Sequence, residues 1–99
     1  MIINKSQKDE ILTLALDGKL DTNTSPQLEE ALNTAINEAK KIVLDFSNLQ
    51  YVSSAGFRVL LMGQKKSNSQ GVLMVLKGVS ADVMEVFEMV GFSAILNFE

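Results

Sequence analysis

At 99 residues the chain has the length of one domain, and 46% hydrophobic with 21% charged residues is the balance of a folded core. A net charge of −3 gives a nucleic-acid partner no electrostatic support. Without cysteine or histidine there is no disulfide framework, no thiolate chemistry, and neither the commonest general base nor the commonest metal ligand.

Residues 1–20 lack a basic segment followed by an apolar one, so no signal peptide is read. The apolar runs fall short of the ~20 residues a membrane helix needs. The expectation is one cytoplasmic domain over residues 1–99, with no membrane partner.

In chain order, "MIIN" reads as an edge strand and "KSQKDE" as the turn after it. In "ILTLALDG", Leu12, Leu14 and Leu16 alternate with Thr13 and Ala15, the period of a strand. "DTNTSPQLEEALNTAINEAKK" carries one apolar helical stripe: Leu28, Ala31, Leu32, Ala35, Ile36 and Ala39. Thr24 or Ser25 can cap it, and Pro26 suits its first turn. Glu29 and Glu30 early, with Lys40 and Lys41 late, would match the helix dipole. "KIVLDFS" follows. Its consecutive Ile42, Val43 and Leu44 predict a strand covered on both faces.

A second helix is expected from near Ser54 to near Ser67, with "SNSQG" as a turn and "VLMVLKG" as another buried strand. "SADVMEVFEMVG" reads as a third helix. Ser80 is its cap, Val83, Val86, Phe87 and Val90 its stripe, and Gly91 its stop. "AILNF" (Ala94–Phe98) can add a last strand. Strands alternating with helices predict an α/β fold: a single mixed sheet of four to five strands packed by three main helices.

Little here suggests an enzyme. A nucleophilic serine needs a base, and there is no histidine and no serine followed three places later by lysine. "YVSSAG" lacks the Gly-x-Ser-x-Gly elbow, and both glycine-rich phosphate loops are missing. The expectation is no catalytic residue, no metal site and no cofactor. Asp45 closes a buried strand, as the phosphoacceptor of a receiver domain does. The acidic pair such a domain also needs is absent. Asp45 is read instead as a brace that accepts backbone N–H bonds from the loop after it.

The pair Ser53–Ser54 precedes a helix whose stripe contains Gly56, Val59, Leu60 and Gly63. One serine falls at the N-cap. Free N–H groups and the positive end of the dipole also make this a place where phosphate is tolerated. Phosphate adds about −1.5 to −2 charges, and uncompensated like charge at an interface can cost several kcal/mol. Phe57 and Leu61, with Met62 nearby, extend the helix's apolar surface and predict a partner-binding patch beside the serines.

Three stretches together resemble a STAS domain of the anti-sigma factor antagonist family. They are "LDGKLDTNTSPQLEEAL", "KIVLDFSNLQYVSSAGFRVLL" and "VSADVMEVFEMVGFSAIL". The resemblance implies a bacterial regulator that binds an anti-sigma factor serine kinase and so frees a sigma factor. The kinase phosphorylates a loop serine, which releases the antagonist, and a serine phosphatase restores it. Aligned on Gly56, the family's acceptor falls on Ser54, with Ser53 the second choice. Asp21 would lie near it. The best-known members carry aspartate before the acceptor, where this chain has Ser53, and serine or threonine after it, where this chain has Ala55. The alternative is a STAS scaffold or sensor subunit that is never phosphorylated.

Overall fold

Leu12, Leu14 and Leu16 alternate with polar or small residues, and the computed structural model, which describes residues 1–99, makes them the inward face of a strand. Four strands form one mixed sheet in the order β1-β2-β3-β4: β1 (Ile2–Lys8), β2 (Ile11–Leu20), β3 (Lys41–Val52) and β4 (Leu73–Lys77). β1 and β2 are antiparallel, whereas β2–β3 and β3–β4 are parallel. Each parallel link crosses through a helix: α1 (Ser25–Ala35) and then α2 (Ser54–Ser69). The third helix, α3 (Ala81–Met89), follows β4. The expected mixed sheet with three helices is thus present.

Several local expectations are corrected. The first strand runs through "KSQK", and the turn is only Asp9–Glu10, with Asp9 at φ 57. Helix α1 stops at Ala35, so Lys40 and Lys41 are not its last turn, and its first turn holds no acid. Lys40 pairs with Glu10 at 3.5 Å and Lys41 with Glu99 at 2.9 Å. Ala94–Phe98 is not a strand. Phe92–Ala94 is a 3-10 turn, and Phe98 alone bridges to Leu76 in parallel.

The largest surprise is β3, which continues past Ser47 to Val52. It carries one extra residue relative to β2 between Asp45 and Asn48 and another between Leu49 and Tyr51. Each such bulge flips the side-chain alternation. The inward residues therefore run Ile42, Leu44 and Phe46, then Leu49, then Val52. That spacing hides a strand from any search for a period of two.

Helices cover one face of the sheet, not two. The buried apolar residues of α1, α2 and α3 all join the cluster containing Leu12, Leu14, Ile42, Leu44, Met74 and Leu76. Val43 and Val75 are buried outside that cluster, on the other face. In α3 only Val83 and Phe87 are buried, while Val86 and Val90 are exposed. No helix is long and apolar enough to cross a membrane.

Candidate functional site

Parallel pairing delivers the ends of β2 and β3 to the same edge of the sheet. There the Ser53 amide donates to the Leu20 carbonyl at 2.8 Å, joining the segment that bears the serines to the one that bears Asp21. Helix α2 starts immediately. Its closeness to the strands depends on Gly56, where a Cβ would stand 2.7 Å from Leu20 Cγ and 3.1 Å from Val52 Cγ1.

The two serines are not equivalent. Ser53 is the N-cap, extended at φ −86 and ψ 172, and its Oγ accepts from the Gly56 amide at 3.3 Å. Ser54 is the first helical residue. It is exposed, and its hydroxyl has no hydrogen-bond partner in the chain. The amides of Ser54 and Ala55 also lack an acceptor in the chain, as the first turn of a helix requires. Of the two serines, Ser53 is therefore the cap and Ser54 is not. The first turn of α2 contains no acidic residue.

Asp21 organises the neighbouring loop. Its Oδ1 accepts from the Asn23 amide at 2.9 Å and the Thr24 amide at 3.0 Å. The Thr24 amide is the main reason its carboxyl is held below the usual carboxylate range. Thr24 closes the turn, its Oγ1 accepting from the Asp21 amide at 2.8 Å. Thr24 is also the N-cap residue of α1, but no side-chain bond caps that helix.

Asp45 stands apart from the serines. It lies in β3 seven residues before Val52, a strand length of roughly 20 Å. Its Oδ1 accepts from the Ser47 hydroxyl at 2.6 Å and the Ser47 amide at 3.0 Å, and these bonds lower its pKa. Asp45 pairs with Lys77 at the end of β4. Gly78, at φ +67, packs so closely that a Cβ there would overlap Ser47 Oγ. Asp45 thus shapes the bulge of its own strand and the exit of β4, not the serine loop.

Phe57 is corrected from a surface contact to a core residue, 8% exposed. Its ring meets Phe87 edge-on at 5.1 Å and Phe92 at 5.8 Å. Leu61 is half-buried and Met62 exposed. A surface groove of about 270 Å³ runs beside the helix start, lined by Ser54, Phe57, Arg58, Leu61, Val90 and Phe92. A smaller one, about 140 Å³, is lined by Tyr51, Phe57, Val83 and Val86 among others. A groove of about 400 Å³ between α1 and α2, lined by Glu29, Met62 and Lys65 among others, does not include the serines. The sequence reading missed Arg58, Tyr51, Val90 and Phe92 as part of the site. The spacing of Ser54 and Arg58, one helical turn, was the available signal for Arg58.

Known proteins match this chain over nearly its whole length. A family model described as STAS domain matches residues 3–99. BtrV of Bordetella bronchiseptica, provisionally named an anti-sigma factor antagonist, is 33% identical over 96 residues, spanning 96% of this chain and 83% of that protein. The anti-sigma F factor antagonist of Paenibacillus polymyxa is 32% identical over 88 residues, spanning 87% of this chain and 75% of that protein. Among solved structures, the Bacillus anti-sigma factor antagonist SpoIIAA shares the fold. Its unphosphorylated form has a TM-score of 0.79 at 19% identity, covering 99% of this chain and 87% of that one. Its phosphorylated form has a TM-score of 0.78 at 20% identity, covering 99% and 91%.

Proposed function

The chain belongs to the STAS domain family, and we propose that it is an anti-sigma factor antagonist switched by phosphorylation of Ser54. In the dephosphorylated state it binds an anti-sigma factor serine kinase, and the sigma factor is freed. The kinase then transfers the γ-phosphoryl group of ATP to Ser54 Oγ. ADP leaves, the hydroxyl proton goes to solvent, and the antagonist dissociates. A serine phosphatase hydrolyses the ester and resets the cycle. The names of the relatives about a third identical to it support the antagonist role.

The observation that carries the switch is the division of labour between the serines. Ser53 holds the cap, so the Ser54 hydroxyl is exposed and unengaged. Phosphate there leaves the cap bond intact and faces two unengaged amides. It also adds about −1.5 to −2 charges on the edge of the sheet that carries Asp21. Like charge of that size at an interface costs several kcal/mol, and about 4 kcal/mol is a thousandfold in affinity.

The test is incubation with the cognate kinase and ATP, followed by site mapping by mass spectrometry and binding measurements on Ser54→Asp. Phosphate on Ser54 and weakened binding of the variant are expected. Phosphate on neither serine would leave the unphosphorylated scaffold as the reading. Wild-type affinity in Ser54→Asp would remove charge repulsion as the mechanism.

A further inference from the structure

Arg58 stands four residues after Ser54 on α2, and both line the same surface groove. Side chains at i and i+4 share a helix face, and each leans toward the helix N-terminus, so Arg58 reaches back over Ser54. Arg58 is exposed and has no partner in the chain: the three ion pairs are all made by lysines, and no side-chain hydrogen bond engages it. The rest of the groove is apolar apart from Ser54 itself. An unpaired arginine and an unengaged hydroxyl therefore line one groove, one helical turn apart, on a helix with no acid in its first turn.

We propose that Arg58 is the counter-ion, within the same chain, of a phosphate carried by Ser54. The planar guanidinium takes two phosphate oxygens, and the free amides of the first turn face the same group. The other charged groups near this end are two carboxylates and two cations. The carboxylates are Asp21, beside the serine segment, and Asp82, which lines the neighbouring groove. The cations lie on the Asp21 side: Lys19, which pairs across the sheet with Tyr51, and the N-terminal ammonium, which acts on Asp21. The carboxylates repel phosphate, and of the cations it is Arg58 that shares the helix and the groove of Ser54. The phosphorylated state then differs from the free state in two ways. It gains negative charge, and it withdraws Arg58 from the groove a partner would occupy. Arg58 is a positioning residue for the switch and takes no part in the transfer chemistry.

This inference rests on Ser54 as the acceptor, and its test does not need the kinase. Phosphoserine is installed at position 54 of the full chain by an expanded genetic code, in wild type, Arg58→Gln and Arg58→Lys backgrounds. The second ionisation of the phosphate is followed by ³¹P NMR against pH. A neighbouring cation favours the dianion, so the wild-type titration is expected at lower pH than that of Arg58→Gln. Arg58→Lys, which keeps the charge and loses the fork, is expected between them. Phosphorylation is also expected to raise the thermal midpoint more in wild type than in Arg58→Gln. Coincident titrations of wild type and Arg58→Gln would overturn the inference. A kinase that ignores Ser54 would instead overturn the function proposed above and leave these titrations unchanged.

Discussion

The Ser53 amide donates to the Leu20 carbonyl at 2.8 Å, while the Ser53 hydroxyl accepts from the Gly56 amide at 3.3 Å. One residue thus fastens the loop to β2 and caps α2. Ser54 makes neither contact. Ser53→Ala is expected to lose about 1 kcal/mol of stability, the usual cost of an N-cap. Ser54→Ala is expected to stay within about 0.5 kcal/mol of wild type, as for an exposed position without special contacts. Ser53→Asp keeps a capping oxygen and should retain wild-type stability. Urea denaturation of the three variants measures these differences. An equal loss in Ser53→Ala and Ser54→Ala would contradict the division of roles.

Gly56 and Gly63 lie on one face of α2 but meet different neighbours. A Cβ at 56 would press on Leu20 Cγ at 2.7 Å and Val52 Cγ1 at 3.1 Å. These side chains stand where the two loops are joined. A Cβ at 63 would meet the terminal Cδ1 of Leu32 at 2.9 Å, which can rotate away. Gly56→Ala is expected to destabilise by about 1–3 kcal/mol through overpacking. Gly63→Ala gains up to ~1 kcal/mol of helix propensity, which offsets much of its strain. Denaturant midpoints should rank wild type and Gly63→Ala close together, with Gly56→Ala well below.

The Asp45–Ser47 bonds give the protein an acid-sensitive element. In the folded chain the Asp45 carboxyl titrates below its ordinary value of 3.8, because Ser47 bonds its ionised form. A depressed folded pKa contributes stability above the unfolded value and loses it as pH falls through the folded one. Asp21 is shifted in the same direction. Stability is therefore expected to fall as pH drops below about 4. Asp45→Asn should show a shallower fall, since the amide oxygen can still accept from Ser47 but does not titrate. Urea midpoints from pH 6 to pH 2 provide the comparison, and parallel curves for the two proteins would remove Asp45 as a cause.

The sheet and helices were legible because their apolar residues repeat at regular intervals. Leu12, Leu14 and Leu16 announce β2, and Leu28 and Leu32 announce α1. The end of β3 was not legible, since two bulges place Phe46, Leu49 and Val52 at spacings of three. For the same reason Asp45 read as a strand end beside a loop, although it lies well inside the strand. The serine loop was found, but the choice of cap needed the backbone angles of Ser53. Apolar content alone could not tell which α2 and α3 residues face inward. Phe57 is wedged between Phe87 and Phe92, while Val90 on the expected stripe faces solvent.

That difference between apolar neighbours separates stability from binding. Phe57→Ala removes a ring from the aromatic cluster and is expected to cost about 3–5 kcal/mol of stability. Any loss of partner binding in that variant would follow from unfolding. Val90 is 51% exposed and Leu61 is half-buried, and both line the groove that starts at Ser54. Truncating Val90 should change stability by no more than about 0.5 kcal/mol, as at other exposed sites. The same truncation should weaken binding to the proposed anti-sigma kinase partner by about 1 kcal/mol or more, at least fivefold, if the groove is filled in the complex. Leu61→Ala should do the same to binding with a modest stability loss. Calorimetric titration of kinase with each variant, alongside thermal denaturation, separates the two effects. Unchanged affinity in both Val90→Ala and Leu61→Ala would move the docking surface away from this groove.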